Sequence, residues 1–469
     1  MAMTVGSLWH WDGKVSRGTY ALFGICGLAI KHNLDRFIAY KFGFRWGVWN
    51  YLDPLERATQ FYPLSSSEKK FLAILLITAL PFIWIGITMT VKRLRDAGQP
   101  LWLTLLFFVP IINLLFFGLL IVLPSQEAAP PANSLDKPGT RPISPYWPTS
   151  RTGSAAAAVV ITALLGVVAT WGILRFTGNY GMTLFISLPF VMGYLAVVIY
   201  NRNQQVDSGD VLGIVSLSLL LTCAGITAIA VEGVICLLMA APLAWLLAIF
   251  GGFLAMLIHG RTHSQQATPS MFAVMLISLP LLLGVEHVAP PPVPRFQVHT
   301  AIEIAAPPEI VWKRLIEFPP LPVAREWPFR LGIAYPIEAT LKGEGLAADR
   351  ECRFSTGSFK EPVLVWEPGK HFAFAVADEP LLMKETSPYE NIHVRHLEDH
   401  DFQPERADFV LVSLPNGGTR LEGTTTYQNK MWPGMYWRLW TDAIIHSIHS
   451  RVFRHVKNLA ETDARSIPD

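Results

Sequence analysis

The chain has 469 residues, of which 51% are hydrophobic and 16% are charged. Because soluble proteins carry about 25% charged residues, this composition argues against a chain that is soluble throughout, and the length predicts two or three structural units. The net charge of +2 excludes the basic footprint of a nucleic-acid-binding protein. The four cysteines form no CxxC pair, so the sequence predicts neither a zinc site nor disulfides, and no motif indicates a cofactor.

The first apolar block, residues 10–123, predicts three membrane-spanning helices. A helix needs about 20 mainly apolar residues to cross a bilayer, and three segments have the length for it: 19–44, 71–91 and 101–123. Lys31 and Asp35 interrupt the first segment and are four residues apart, so one helix face can pair them. Ionisable residues within a span are functional candidates. The alternative is that these two mark the point where the helix leaves the bilayer.

A second apolar block, residues 154–288, follows a proline-rich linker at 124–153. Its predicted passes are 154–174, 181–200, two helices between residues 211 and 258, and 271–288. Glu232 is the single charged residue between 211 and 258, and it lies at the predicted hairpin, which indicates an interfacial side chain. The two blocks together predict about eight spans.

Beyond a polyproline spacer at 289–296, residues 297–461 have the pattern of a soluble domain. An alternating strand comes first, followed by a short helix with proline at its start. Several strands with turn signals such as "PNGG" lead to one long closing helix. This order predicts an α+β layer in which the closing helix covers one face of an antiparallel sheet.

Two family resemblances cover most of the chain. The motifs "WDGKVSRGTY" (11–20) and "VKRLRDAGQPLW" (91–102) resemble the bacterial inner-membrane domain-of-unknown-function family 805 (DUF 805), which implies a location rather than an activity. The opening strand, "APPEIVWKRL" (306–315) and the closing helix resemble the START-like helix-grip superfamily (SRPBCC) of polyketide cyclases/dehydrases and lipid-transport proteins. The second resemblance implies a hydrophobic cavity between sheet and helix. The expected fold is therefore a multi-pass α-helical membrane protein with a C-terminal α+β START-like helix-grip domain.

The closing helix, residues 436–457, has two different faces when it is drawn at 100° per residue. One stripe is apolar and ends in two cationic groups. Its members are the predicted ligand-binding residues Trp437, Trp440, Ile444, Ile448, Arg451 and His455. A cation on a buried face needs a partner or a ligand. The alternative for Arg451 and His455 is that they complement the helix dipole near its C-terminal end.

Two groups of histidines raise the question of a metal site. Asp442, His446 and His449 share the opposite side of the closing helix at a spacing that could hold a metal, but one helix supplies at most three ligands, and we predict a polar, metal-free outer face. Three more histidines lie in a charged segment that predicts an exposed loop: His393, His396 and His400. No motif identifies a nucleophile.

These features predict a bacterial plasma-membrane protein that binds a hydrophobic small molecule or lipid beside the bilayer, with no catalysis. A cyclase/dehydratase-type enzyme acting on a lipophilic substrate is the first alternative, and a transporter with an accessory soluble domain is the second. The bilayer and a hydrophobic ligand are the expected partners, and no nucleic acid is expected. Fewer basic residues fall on the side of the C-terminal domain when eight spans are counted, which predicts an extracytoplasmic domain.

Overall fold

The structure of the protein is a computed structural model. It describes residues 8–44, 46–51, 66–108, 112–123, 125, 148, 150–202, 204–259, 279–290, 293–377, 380–389, 392, 394–398 and 401–466. The chain forms two compact units. One comprises Met1–Ala158, Tyr194–Ile214 and Gly251–Pro292, and the other comprises Val159–Gly193, Val215–Phe250 and Val293–Asp469.

The apolar part of the chain is helical. Its helices are α1 (Arg17–Lys41), α2 (Ser66–Asp96), α3 (Ile112–Val122), α4 (Arg151–Thr177), α5 (Leu188–Tyr200), α6 (Ser208–Ala228), α7 (Val234–His259) and α8 (Leu279–Val288). Short 3-10 segments lie at Val48–Tyr51 and Leu101–Phe108, and a π-helical turn at Thr183–Ser187 leads into α5.

Five helices of the described chain are long and apolar enough to cross a membrane: α2, α4, α5 with its π-helical turn, α6 and α7. The sequence predicted about eight spans. The remaining predicted spans differ because α1 carries charged residues along its length, 101–123 is divided between a 3-10 segment and α3, and α8 has only 10 residues in the described range. The two helices predicted between 211 and 258 are present as α6 and α7, with the hairpin between them.

Several charged side chains of the first unit are paired within it. Lys31 and Asp35 form an ion pair at 2.5 Å on α1, and the Tyr51 hydroxyl donates to Asp35 at 2.6 Å. Arg93 is fully buried near the end of α2, where its Nε donates to the carbonyl oxygen of Leu120 at 2.8 Å. The basic turn therefore holds the C-terminal end of α3, whose carbonyl groups have no partner within the helix.

The C-terminal domain contains two antiparallel sheets and a long closing helix. Its strands are β1 (Arg295–Ile304), β2 (Pro336–Lys342), β3 (Asp349–Phe354), β4 (Gly357–Lys360), β5 (Val363–Glu367), β6 (His371–Ala375), β7 (Phe402–Ser413) and β8 (Thr419–Asn429). Its helices are α9 (Pro308–Ile316), α10 (Trp327–Arg330), α11 (Arg395–Glu398) and α12 (Gly434–Arg465). The larger sheet has the order β1-β8-β7-β6-β5, and the smaller has the order β2-β3-β4. This arrangement is the α+β layer that the sequence predicted, in which the closing helix covers one face of an antiparallel sheet.

The main core of the domain lies between the larger sheet, α9 and α12. Phe453 and Val456 of α12 are fully buried against Phe372 and Leu421 of the sheet. Gly423 permits this close approach, because a Cβ atom there would collide with the ring of Phe453. Burying large apolar side chains of this kind contributes about 1.5–3 kcal/mol each, so α12 is a main stabilising element of the domain.

The face of α12 that packs on the sheet is not the predicted one. Its buried stripe runs through Thr441, Ile445, His449 and Phe453, one residue and so about 100° away from the stripe through Ile444. The prediction of a polar outer face is wrong for His449, which is buried, while His446 is exposed. The prediction failed because it ranked side chains by apolarity, whereas the sheet face accepts a threonine and a histidine whose polar atoms are bonded.

Candidate functional site

A cavity of about 400 Å³ lies where the helices of the second unit meet its C-terminal domain. The ends of α4, α6 and α7 and the start of α5 contribute one wall, and α12 with the loops of the C-terminal domain contributes the other. The lining is almost entirely apolar. Cavities of this volume accommodate ligands of small-molecule size.

Three of the six predicted ligand-binding residues line this cavity: Trp437, Ile444 and Ile448. Ile444 and Ile448 reach it because the stripe that carries them is turned about 100° away from the sheet. Trp437, by contrast, lies four residues before Thr441 on the buried stripe. Trp440 is not in the lining formed by the described residues. Ligand binding by the three lining residues stays a prediction.

The two cationic residues at the C-terminal end of the stripe are not in the cavity lining of the described chain. Arg451 is buried, stacks 5.3 Å from the ring centroid of Tyr335, forms an ion pair with Glu326 at 3.4 Å and donates to the carbonyl oxygen of Pro322. Burial lowers the pKa of its guanidinium, and Glu326 opposes that shift. Nε2 of His455 lies 3.2 Å from the carbonyl oxygen of Pro319. Both side chains therefore tie α12 to the segment before β2.

The hairpin between α6 and α7 is attached to the C-terminal domain. The backbone N–H groups of Ile235 and Cys236 donate to the two carboxylate oxygens of Glu385 at 3.0 and 3.1 Å, which satisfies donors of the first turn of α7. Gly233 makes this approach possible, since a Cβ atom at that position would collide with the Glu385 carboxylate. The Tyr389 hydroxyl donates a hydrogen bond to the carbonyl oxygen of Ala228, the last residue of α6, at 2.6 Å.

Polar side chains gather on the cavity wall at this hairpin. Glu232, Cys236 and His396, which we call the hairpin cluster, each offer a ligand atom within 4.8 Å of the others. Cys236 Sγ lies 3.0 Å from His396 Nε2, and His396 Nδ1 lies 3.6 Å from Glu232 Oε2. Tyr180 donates to Glu232 Oε1. All four residues line the cavity.

The protonation of Tyr180 follows from its surroundings. Burial, reinforced by the neighbouring Glu232 carboxylate, raises the pKa of the phenol well above its ordinary value. The phenol therefore keeps its proton and acts as a hydrogen-bond donor to Glu232 Oε1. Its backbone carbonyl oxygen accepts a bond from the N–H of Trp432 at 2.9 Å, which fixes the α4–α5 loop against the C-terminal domain.

The sequence did not identify the hairpin cluster. His396 was predicted to lie in an exposed loop, but it is buried in the short helix α11; His393 and His400 lie outside the described residues. Glu232 was predicted to be interfacial, and it is buried at the end of the hairpin. The available signal was the closeness of Glu232 and Cys236 in sequence, since they are four residues apart across the start of α7.

A second, smaller cavity of about 150 Å³ lies inside the C-terminal domain between the sheets and α12. Arg350 and Glu361 form an ion pair in its wall, and the Arg350 guanidinium lies 4.7 Å from the ring centroid of Phe374. Burial lowers the pKa of Arg350 to about 10. This is the place where the START-like resemblance implied a ligand cavity, but the larger space is at the helix ends.

Comparisons with known proteins give one family match and several structural neighbours. Residues 8–131 match the family model described as "Protein of unknown function (DUF805)". Structural neighbours of the C-terminal part include a norcoclaurine synthase point mutant from Thalictrum flavum in complex with a transition-state analogue. It shares 11% identity, covers 37% of this chain and 98% of its own, and has a TM-score of 0.25.

Two structural-genomics proteins are also similar. One is from Chromobacterium violaceum, with 12% identity, coverage of 37% of this chain and 99% of its own, and a TM-score of 0.22. The other is from Mesorhizobium loti, with 16% identity, the same two coverages and a TM-score of 0.22. A comparison with curated proteins gives no match.

Proposed function

We propose that this membrane protein binds a hydrophobic small molecule or lipid in the 400 Å³ cavity beside its spanning helices. The observation that carries this proposal is the shared lining, since apolar side chains from helix ends and from α12 enclose one space. A ligand with an apolar body would bury surface there at a gain of about 25 cal/mol per Å². Its polar end would meet the hairpin cluster, the main polar part of the wall.

The two alternative functions have less support. The cyclase/dehydratase hypothesis relied on Arg451 or His455 facing the cavity, but both bind backbone carbonyl groups elsewhere. A transporter would need unpaired ionisable groups along its spans. Lys31 and Asp35 instead neutralise one another on α1, which is not among the five candidate spans.

The proposal can be tested with the full-length protein in detergent. Organic extraction followed by mass spectrometry should release a hydrophobic molecule from the wild type, and fluorescent cis-parinaric acid should bind to protein from which that molecule has been removed. Ile448→Trp fills the cavity and should weaken binding of the fatty acid by at least about tenfold. Leu439→Trp is the matched control, because Leu439 lies on the same helix, is 70% exposed and is not in the cavity lining.

Equal binding by the two tryptophan variants would contradict a ligand site in this cavity. The ligand site would also be contradicted if the wild type neither released a hydrophobic molecule nor bound the fluorescent fatty acid. Size-exclusion chromatography of each variant separates loss of binding from loss of folding.

We also propose that the protein resides in a bacterial plasma membrane with its C-terminal domain outside the cytoplasm. The α6–α7 hairpin and the α4–α5 loop are both hydrogen-bonded to the C-terminal domain, so the domain lies on their side of the membrane. Arg175 is the basic residue of α4 near that side, whereas Arg151 and Arg202 are at the opposite ends of α4 and α5. The positive-inside rule then places the domain outside.

A reporter fusion tests this orientation. Alkaline phosphatase joined after Asp469 should be active, because the enzyme matures only outside the cytoplasm. Green fluorescent protein at the same position should not fluoresce when it is exported unfolded. A fluorescent fusion together with an inactive phosphatase fusion would place the domain in the cytoplasm.

A further inference from the structure

We propose that the hairpin cluster, Glu232, Cys236 and His396, is a binding site for Zn²⁺ in the wall of the cavity. This departs from the prediction of no metal, which rested on cysteine spacing and on histidines of α12. The three residues come from two separate parts of the chain, the α6–α7 hairpin and α11, and no local sequence motif unites them. The proposal does not depend on what ligand the cavity holds.

The separations of the three side chains fit a shared ion. Zn²⁺ is bound at about 2.0–2.3 Å by nitrogen, oxygen and sulfur in tetrahedral geometry, so its ligand atoms lie about 3.3–3.8 Å apart. With one ligand atom taken from each residue, the ligand atoms of the cluster all lie within 4.8 Å of one another. His396 Nδ1 is 3.6 Å from Glu232 Oε2, which is within the range for a shared Zn²⁺, while Cys236 Sγ is 3.0 Å from the other ring nitrogen, Nε2.

Two buried polar atoms of the cluster have no hydrogen-bond partner among the described residues: Glu232 Oε2 and His396 Nδ1. Each of these residues is 6% exposed. Buried polar atoms are nearly always bonded, and an orphaned one calls for an ion or another unseen partner. A cation between them would satisfy both atoms and neutralise the buried carboxylate.

The surroundings hold the three side chains in place. The Tyr180 hydroxyl donates a hydrogen bond to Glu232 Oε1, which leaves Oε2 free to bind a metal. Glu385 accepts from the backbone N–H of Cys236 and so fixes the helix start that carries the thiol. Partners of this kind orient metal ligands and raise affinity. The cluster therefore supplies three potential metal ligands, and neighbouring groups are in place to orient them.

The ligand types favour zinc over other divalent ions. A thiolate, an imidazole and a carboxylate form a mixed sulfur, nitrogen and oxygen set, which suits Zn²⁺ and excludes the all-oxygen sites of Mg²⁺ and Ca²⁺. Three protein ligands leave a fourth position, and all three residues line the cavity. That position would accept water or the anionic end of a bound molecule.

Cobalt is the spectroscopic probe for this site. Full-length protein in detergent, stripped with a chelator and titrated with Co²⁺, should bind about one ion per chain with tetrahedral d–d bands and a near-ultraviolet thiolate-to-cobalt band. Zn²⁺ should remove both signals. Cys236→Ser should abolish the thiolate band, whereas Cys223→Ser should keep it. Cys223 is the matched control because it lines the same cavity outside the cluster.

His396→Gln provides a second variant, with a predicted loss of affinity of at least about tenfold. Wild-type protein that shows no thiolate-to-cobalt band overturns the proposal. A thiolate-to-cobalt band that survives in Cys236→Ser would also overturn it. Purified protein that retains copper, but no zinc, at this site would do the same. Binding of cis-parinaric acid, measured on the same samples, reports the proposed ligand function separately. A metal-free protein that still binds the fatty acid would therefore refute only the metal site.

Discussion

Among its described residues, the C-terminal domain buries two histidines in two different regions, the core beneath α12 and the cavity wall at the helix hairpin. In the core, His449 is 5% exposed, and its ring nitrogens lie 3.0 Å from the Thr300 hydroxyl and 2.8 Å from the Thr425 hydroxyl. At the wall, His396 is 6% exposed, but its Nδ1 has no hydrogen-bond partner in the described part of the chain. The two histidines are therefore buried to nearly the same extent, but only His449 has hydrogen-bond partners for both ring nitrogens.

The difference indicates different roles. Two threonine hydroxyls complete the hydrogen bonding of His449, and its ring stacks on Phe453 at a centroid distance of 5.7 Å, so this histidine belongs to the packing of the domain. His396 has a thiol and a carboxylate as neighbours, and these are groups that bind metals. A buried polar group that is fully bonded stabilises the fold, whereas one that is not marks a site where another partner is expected.

The largest effect should come from the core. Phe453→Ala removes a fully buried ring that packs over Gly423, and it should lower the free energy of unfolding by about 3–5 kcal/mol. Chemical denaturation of the full-length protein in detergent, followed by tryptophan fluorescence, measures this change.

Ile444→Ala is the comparison within the same helix. Ile444 is half-buried and lines the cavity, so its truncation enlarges an existing space rather than opening a new one in the packed core. Its loss of stability should be clearly smaller than that of Phe453→Ala. Equal losses would show that the two faces of α12 do not differ in packing, and the comparison between core and cavity wall would fail.

Local pattern was sufficient to predict the kinds of structure in the chain. Apolar runs predicted the helices that became α2, α4, α6 and α7, and alternation with turn signals predicted strands closed by α12. These elements follow from hydrophobic periodicity, which is a local property. The α+β layer followed from their order.

What local pattern could not predict was the partner of each buried polar group. The face of α12 depended on Thr300 and Thr425, which lie more than 20 residues from His449 in sequence and make a histidine acceptable in the core. The burial of His396 depended on Glu232 and Cys236, 164 and 160 residues away. Contacts over such separations leave no periodic signal, so both histidines were assigned to the wrong environment.

A smaller effect, which depends on pH, would sharpen the contrast between the two histidines. Burial lowers the pKa of His449 to about 4, and His446 and His299 add to this shift. The unfolded chain, with a pKa of about 6.5 for histidine, binds the proton more readily than the folded chain. Stability is therefore complete above about pH 6.5 and decreases as the pH falls toward 4. Between pH 7 and pH 5 this group alone should lower the free energy of unfolding by about 2 kcal/mol.

His449→Gln isolates that contribution, since an amide can still bond to Thr300 and Thr425 but does not titrate. The full-length variant in detergent should be less stable than the wild type at pH 7, because glutamine loses the stacking on Phe453. The difference between the two proteins should narrow by about 2 kcal/mol at pH 5. His446→Gln, at an exposed neighbouring position, should leave most of the pH dependence intact. If the variant at 449 keeps the whole pH dependence, acid does not act through the core histidine, and the assignment of His449 to a neutral packing role is wrong.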